Sequence, residues 1–279
     1  MNTGNDYLGE LFGLSGKVAV VTGGGGVLCG TLSRALGRLG VAVAVLDLSA
    51  AAAQRVADDI TAQGGAALAL RCDVLDPSSL EEARDAVLER FGRVDVLING
   101  AGGNKQQATT APDRSFFDLP PEAVRWVFDL NFLGTLLPSQ VFGRVMAEQG
   151  AGVIVNISSM NAFRPLTRIP AYSAAKAAVS NFTQWLATHM AQEYAPRIRV
   201  NGIAPGFFLT AQNRFLLLDE ESGDLTARGR TIIAHTPLGR FGAPADLVGV
   251  LVWLLSPAAE FVTGVVVPVD GGFSAFSGV

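Results

Sequence analysis

Short apolar runs rich in valine, isoleucine and alanine alternate with longer alanine- and leucine-rich segments along almost all of the 279 residues. The short runs suit strands buried on both faces of a parallel sheet, and the longer segments suit the helices that connect such strands. The pattern predicts seven strands, near residues 17–22, 42–46, 66–71, 94–99, 152–157, 197–203 and 265–269. It predicts helices over residues 27–39, 50–62, 77–91, 121–148, 171–195 and 244–255, with a kink near Asn131. The expected fold is a doubly wound α/β sheet of Rossmann type, in which ligands bind beyond the carboxyl ends of the strands.

Two connections, residues 102–120 and 206–236, are longer than this fold requires. Each leaves the carboxyl end of a strand, where long loops usually carry function. The second contains helical patterns at residues 209–218 and 225–234. We therefore expect a single domain over residues 1–279, with a helical lid insert at about residues 207–236.

The overall charge of the chain disfavours nucleic acids and anionic membranes as binding partners. The chain has a net charge of −4 and a pI near 5.2, whereas nucleic acids and anionic membranes both favour a basic surface. No apolar run approaches the roughly 18 to 20 residues that a bilayer requires, and residues 1–10 lack the features of a secretory signal. Only Cys29 and Cys72 occur, which suits two reduced thiols. We expect a cytoplasmic protein that binds neither nucleic acid nor membrane.

A cluster of glycines lies between the first predicted strand and the first helix. Gly23 to Gly26 can form a tight turn whose N–H groups approach a pyrophosphate at the helix N-terminus, although an ordinary turn has the same composition. Asp47 ends the second strand 21 residues after Gly26, where a carboxylate can accept hydrogen bonds from the adenosine ribose. Because Asp47 would repel a 2′-phosphate and residues 48–53 contain no Arg or Lys, the sequence favours NAD over NADP.

The ends of the third and fourth predicted strands carry further candidates. Asp73 could meet the adenine amino group, and Asn99, Ala101 and Gly102 could form a surface against which the cofactor lies. Either segment could equally be a plain turn.

Tyr172 and Lys176 stand four residues apart in a predicted helix, in a chain with only three tyrosines and three lysines. Residues i and i+4 share one helix face, so a phenol and an ammonium would lie side by side. A cation about 4 Å away is worth about 4 kcal/mol at an effective dielectric of about 20. We expect Lys176 to lower the pKa of Tyr172 from its usual value near 10, which would make Tyr172 a general acid or base.

Together these residues resemble the short-chain dehydrogenase/reductase family over almost the whole chain. The family's catalytic tetrad corresponds to Asn131, Ser159, Tyr172 and Lys176. Residues 205, 206 and 210 match the family segment that holds the nicotinamide, and residues 270–272 match its closing strand. The resemblance implies an NAD-linked oxidoreductase in which Tyr172 transfers the proton, Ser159 holds the substrate oxygen and Lys176 binds the nicotinamide ribose. It implies that Asn131 holds a water molecule that connects Lys176 to solvent.

The glycine motif departs from the family pattern, because Val27 and Cys29 stand where two glycines are usual. In this it resembles a narrower group, the D-mannonate oxidoreductases (fructuronate reductases) of the short-chain type. Similar stretches lie at residues 23–30, 98–104, 158–163, 204–210 and 262–275. The narrower resemblance implies interconversion of D-mannonate and D-fructuronate, and the family resemblance implies a homotetramer. Which amides of the glycine turn contact the pyrophosphate stays open.

Two sets of binding residues follow. The cofactor set is Gly23, Gly25, Gly26, Val27, Leu28, Asp47, Asp73, Val74, Asn99, Ala101, Gly102, Tyr172, Lys176, Pro205, Gly206 and Thr210. A sugar acid presents a carboxylate and several hydroxyls, which suit cationic and amide side chains. The substrate set is therefore Asn104, Lys105, Ser159, Asn161, Arg164, Arg168, Asn213 and Arg214. Each arginine alone could be a solvated surface charge, so the prediction concerns the group.

Two other functions fit the same sequence. An enzyme of this family could act on another sugar, a polyol or a 3-ketoacyl substrate. A protein of this fold could also sense NAD without catalysis, although the intact Ser159, Tyr172 and Lys176 argue against that. His189 and His235 have no partner at the spacing of a metal site or triad, and no Gly-x-Ser-x-Gly motif indicates a serine hydrolase, so we predict no metal.

The helix predicted over residues 171–195 suggests self-association. It carries alanine on several faces beside Phe182, Trp185 and Leu186. Such a helix can bury one face in its own core and another against a second copy of the chain.

Overall fold

Seven parallel strands form one sheet in a computed structural model that describes residues 3–210, 214–219 and 222–278. The strands are β1 (Val18–Thr22), β2 (Ala42–Asp47), β3 (Ala67–Arg71), β4 (Val96–Asn99), β5 (Gly152–Ile157), β6 (Ile198–Pro205) and β7 (Val266–Val269). Their order in the sheet is β3-β2-β1-β4-β5-β6-β7. The predicted doubly wound fold is confirmed, and each predicted strand lies within two residues of the observed bounds. The strand order reverses between β1 and β4, which is where such sheets open a ligand crevice.

Ten α-helices lie among the described residues: α1 (Thr3–Phe12), α2 (Val27–Arg38), α3 (Ala50–Ala62), α4 (Pro77–Phe91), α5 (Pro121–Phe128), α6 (Gly134–Gln149), α7 (Pro170–Glu193), α8 (Arg214–Leu217), α9 (Ala227–Ala234) and α10 (Val248–Leu255). The last predicted helix begins with a 3₁₀ turn over Pro244–Leu247 and continues as α10. The predictions do not include α1, although Tyr7, Leu8, Leu11 and Phe12 recur there at helical spacing. None of the described helices is both long and apolar enough to span a membrane.

The long helix predicted over residues 121–148 is interrupted where the kink was expected. Helix α5 ends at Phe128, a π-helical turn follows over Asp129–Leu133, and α6 continues from Gly134. Such turns are uncommon within α-helices and often occur at functional sites. The turn contains Asn131, whose side chain is fully buried.

Helices cover both faces of the sheet. One face packs against α2, α3 and α10 through residues such as Leu36, Ile60 and Leu251. The other packs against α4, α6 and α7, with Phe142 and Met146 fully buried there. Because both faces are covered, β1, β4, β5 and β6 are buried along their whole length, and this is the reason that β1 and β4 are mostly apolar. The buried β6 also contains the polar residues Arg199 and Asn201.

The insert predicted over residues 207–236 lies between β6 and Leu238, and its role as a lid stays a prediction. It contains α8 and α9, which lie within the two segments predicted to be helical, and Leu218 pairs with Leu225 between them. Asn213, one of the predicted substrate-binding residues, lies outside the described residues. The insert starts and ends beyond the carboxyl edge of the sheet, next to the crevice.

Candidate active site

A crevice of about 300 Å³ opens at the carboxyl ends of β4, β5 and β6. Three of the four predicted catalytic residues line it: Ser159, Tyr172 and Lys176. The remaining lining comes from the first turn of α2 and from the turns after the strands, and consists of Leu28, Gly100, Gly102, Gly103, Ile157, Ser158, Pro205, Gly206, Phe207, Phe208 and Thr210. The sheet therefore places the predicted catalytic side chains beside several of the predicted cofactor-binding residues.

Helix α7 holds Tyr172 and Lys176 on one face, as their spacing predicts. The Lys176 Nζ atom lies 5.7 Å from the centre of the Tyr172 ring and donates a hydrogen bond of 2.8 Å to the carbonyl oxygen of Ile157. The helix is anchored beside the strand by Ser158, whose hydroxyl donates to the Lys176 carbonyl oxygen at 3.1 Å. Ser158 and the Ile157 carbonyl are not predicted as site residues, because nothing in the sequence distinguishes them from other strand-end groups.

The protonation of this pair differs from the expectation. Burial raises the pKa of Tyr172 above its ordinary value, and a hydrogen bond with Ser159 opposes that rise. Burial lowers the pKa of Lys176 to about 8. The prediction that Lys176 lowers the pKa of Tyr172 is therefore wrong for the protein alone, because loss of water around the phenol dominates and the ammonium faces the Ile157 carbonyl.

Ser159 follows β5 and connects the phenol to the loop beyond it. Its hydroxyl bonds with Tyr172 and accepts a hydrogen bond of 3.3 Å from the backbone N–H of Asn161. Asn161 is buried, and within the described residues its Oδ1 atom has no hydrogen-bond partner. The serine hydroxyl thus lies beside the phenol, where it could contact the same substrate oxygen.

Asn131 reaches the site from the π-helical turn and holds the loop after β4. Its Oδ1 accepts from the Gly103 N–H at 3.2 Å, and its Nδ2 donates to the carbonyl oxygens of Gly103 and Val127, both at 2.7 Å. A Cβ atom on Gly102 would lie 2.7 Å from Asn131 Oδ1 and 3.2 Å from Lys176 Nζ, so the residues are close neighbours. The side-chain contacts of Asn131 fix this loop next to Lys176, and the water-holding role stays a prediction.

The glycine turn after β1 fits the phosphate groups of a dinucleotide. Gly23 has a φ of +61°, and a Cβ on Gly25 would come within 2.6 Å of Ala52, so both positions require glycine. Gly26 caps α2 without any side-chain hydrogen bond to the first turn of the helix. This leaves the positive end of the helix dipole for a ligand anion.

Asp47 lies at the end of β2 against this turn. One carboxylate oxygen accepts from the Gly25 N–H at 3.0 Å and the other from the Ser49 N–H at 2.9 Å. Each oxygen can accept a further hydrogen bond. The position and the remaining acceptor capacity suit a diol such as ribose.

Cys29, which departs from the glycine pattern, has a packing role. A Cβ on Gly100 would overlap the Cys29 Sγ atom, so the thiol occupies space that the absent side chain of Gly100 leaves. Burial raises the pKa of Cys29 to about 12, which keeps the thiol neutral. Both cysteines are buried and unbridged, as the sequence predicts.

The remaining predicted cofactor residues lie at the strand ends without showing a specific contact. Asp73 accepts a hydrogen bond from the Leu75 N–H at 3.0 Å, which is an ordinary turn interaction, and Val74 is buried next to it. The Asn99 side chain faces the interior and donates to Ser139 and Asn156, both at 2.9 Å. Only the backbone of Asn99 is therefore available to a cofactor.

The predicted substrate-binding residues do not form one cluster in the structure. Lys105 lies over the Trp126 ring at 5.0 Å, and Asn104 donates to Thr109 at 2.9 Å. Arg164, Arg168 and Arg214 are exposed. Apart from Ser159, none of the described members lines the 300 Å³ crevice. Arg228 on α9 lies near enough to Arg168 for the two charges to interact, and it was not predicted because it belongs to a distant helix.

No group of three or more His, Cys, Asp or Glu side chains within the described ranges could hold a metal ion.

The sequence and the structure were compared with those of known proteins, and both resemble members of one family. Residues 17–221 match the short chain dehydrogenase family. An uncharacterised oxidoreductase of Bacillus subtilis is 50% identical over 95% of this chain and 98% of its own. The crystal structure of a proposed D-mannonate oxidoreductase from Haemophilus influenzae, with bound NAD, has a TM-score of 0.89 and 48% identity over 95% of this chain and 98% of that one. The 7α-hydroxysteroid dehydrogenase of Escherichia coli is 33% identical over 93% of this chain and 94% of its own.

Proposed function

The chain belongs to the short-chain dehydrogenase family, and we propose that it is an NAD-dependent oxidoreductase that interconverts D-mannonate and D-fructuronate. The observation that carries the chemistry is the crevice in which Ser159, Tyr172 and Lys176 meet beside the glycine-rich turns. The substrate is supported by the 48% identity to the NAD-bound structure of a proposed D-mannonate oxidoreductase.

The cofactor would be held by groups at both ends of the crevice. The glycine turn and the first turn of α2 would bind the pyrophosphate, and Asp47 would bind the adenosine ribose. Lys176 and Thr210 would lie at the nicotinamide end. When bound, NAD supplies or accepts the hydride at the reacting carbon.

The proton would move through Tyr172. Burial raises the pKa of its phenol, so the group is protonated at neutral pH and ready to donate to a ketone oxygen. Ser159, hydrogen-bonded to the same phenol, would hold that oxygen. Oxidation requires the phenolate, which burial disfavours in the protein alone. The positive charge of the oxidised nicotinamide, when bound, would stabilise it together with the Lys176 ammonium, 5.7 Å from the ring centre.

A panel of ketones tests the substrate. Purified enzyme with NADH would be assayed with D-fructuronate, a second keto sugar acid, an uncharged ketohexose, a 3-ketoacyl thioester and a 7-oxo steroid. The proposal requires the highest kcat/KM for D-fructuronate among these ketones. A higher value for any other ketone would reject the substrate but keep the chemistry, whereas NADH binding with no turnover of any ketone would favour an NAD-sensing protein.

We also propose that the enzyme works in the cytoplasm as a homo-oligomer, with α7 in the contact. Phe182, Trp185 and His189 stack along its surface, with ring centres 6.1 and 4.6 Å apart, and Trp185 is 56% exposed. Phe182 and His189 are half-buried, so the exposed surface of this row is mainly the Trp185 ring. A large exposed apolar ring on a helix surface favours a protein partner. Light scattering of purified protein should give a mass of at least twice 29.1 kDa, and Trp185→Asp should lower it.

A further inference from the structure

The segment that follows β7 packs against Phe207, a residue that lines the crevice. We call residues 270–276 the β7 turn. The carboxylate of Asp270 accepts hydrogen bonds from the N–H groups of Gly272 and Ser274, both at 2.9 Å. Gly271 and Gly272 have φ values of +65° and +87°, which give the turn a shape that other residues rarely adopt. Asp270 therefore holds the turn in one conformation.

The β7 turn bonds directly to one of the candidate substrate residues. The Ser274 carbonyl oxygen accepts a hydrogen bond of 3.1 Å from Arg164 Nε. This contact leaves the two terminal amino groups of the guanidinium, whose fork geometry matches a carboxylate. Among the described residues, Arg164 forms no ion pair. The turn thus orients an arginine that still lacks an anionic partner.

The same turn touches both ends of the insert. At the entry, the ring of Phe273 lies 5.1 Å from that of Phe207. At the exit, the Gly271 carbonyl accepts from the Leu238 N–H at 3.1 Å, and the Phe276 ring lies 6.2 Å from His235. A cavity of about 140 Å³ separates these contacts and is lined by Phe207, Thr236 and Asp270. The turn is a shared support for Arg164 and the insert.

We propose that the β7 turn is a specificity element that positions Arg164 to bind the anionic group of the substrate and couples that contact to the insert. The proposal rests on the proposed function, since it requires an anionic substrate. Asp270 acts through Arg164 and is a positioning residue.

A double-mutant cycle tests this coupling. Asp270→Ala and Arg164→Ala should each raise the KM for D-fructuronate roughly tenfold or more, the scale of one hydrogen bond to a charged group. The KM for NADH should stay within about twofold, because alanine keeps the Cα and Cβ atoms of residue 270 that lie against Gly206, and the hydrogen bonds that it removes lie within the β7 turn. The double variant should be no worse than Arg164→Ala alone, since two changes in one chain of contacts are not additive. With an uncharged ketohexose, the KM should change little in all three variants.

Further variants guard against a general loss of structure. Asp58→Ala, an exposed aspartate on α3, is the matched control and should leave both KM values unchanged. Asp270→Asn keeps one acceptor oxygen and should have a smaller effect than Asp270→Ala. If Asp270→Ala does not fold, Asp270→Asn replaces it in the cycle.

The outcomes separate this inference from the proposed function. Additive effects, an equal loss with the uncharged ketone, or a changed KM for NADH would overturn the role of the β7 turn while D-fructuronate remains the substrate. If the wild type reduces another anionic ketone instead, the substrate assignment fails and the same cycle on that ketone decides the inference. A wild type that reduces only uncharged ketones would overturn both.

Discussion

The region proposed to bind the cofactor and the region proposed to bind the substrate are held by different kinds of contact. We call them the cofactor end and the substrate end. At the cofactor end, the glycine turn and Asp47 bond to each other through groups close in sequence or on adjacent strands, as in the 3.0 Å contact between Asp47 and the Gly25 N–H. At the substrate end, Arg164 depends on a carbonyl 110 residues away, at Ser274. The insert also meets the β7 turn through separate contacts at its entry and exit. With the proposed roles, cofactor binding is set locally and substrate binding by distant segments, so changes at one end should leave the other intact.

Tyr172→Phe should give the largest effect, a loss of kcat. It should impair proton transfer without impairing the binding of cofactor or substrate. Removal of the phenol hydroxyl deletes the proton donor, so kcat should fall roughly 100- to 10,000-fold, the usual range for a general acid or base. Binding of NADH, measured by fluorescence titration, should persist. Tyr194→Phe changes an exposed tyrosine and should leave kcat unaltered. A fall in kcat of less than about tenfold would mean that another group transfers the proton.

Asp47→Ala should affect the cofactor end alone. Loss of a hydrogen bond to a charged acceptor should raise the KM for NADH by roughly 10- to 100-fold, and the preference for NADH over NADPH should shrink because the repulsive charge is gone. The KM for the ketone, measured at saturating NADH, should stay near the wild-type value. Asp58→Ala is again the matched control. Equal increases in both KM values would show that the two ends are not independent.

Lys176 lies between the cofactor end and the substrate end. The smallest expected effect is that of its titration on the free energy of unfolding. In the folded protein its pKa is lowered from 10.5 to about 8. Between these values the unfolded chain binds more protons, so the free energy of unfolding should rise with pH in that window. The expected gain from pH 7 to pH 9 is about 1 kcal/mol.

Urea unfolding at both pH values measures this gain. Lys176→Met should abolish it, whereas Lys17→Met should keep it. The comparison of variants also removes the contribution of Cys29, whose raised pKa acts in the opposite direction at higher pH. An identical pH dependence in the wild type and Lys176→Met would show that the ammonium is not held in a desolvated site.

The features that the sequence predicted correctly depend mostly on local patterns. The strand bounds follow from buried β-branched runs, and the proximity of Tyr172 and Lys176 follows from helix geometry alone. The direction of the Tyr172 pKa could not be predicted in the same way. Spacing identifies the neighbouring cation, but the loss of water that outweighs it depends on the segments that enclose the phenol.

The environments of the predicted substrate-binding residues could not be predicted from the sequence either. The sequence analysis groups Arg164, Arg168 and Lys105 because cationic side chains suit a carboxylate. Their neighbours in the structure, Ser274, Arg228 and Trp126, lie in three different parts of the chain. The sequence by itself determined the order of strands and helices, the glycine turn, Asp47 and the Tyr172–Lys176 pair, because each depends on contacts within one or two elements. Only the tertiary structure decided where the cations point, what surrounds the phenol and how the β7 turn meets the insert. Those features depend on long-range packing, in which a side chain's environment is set by residues with no fixed spacing from it.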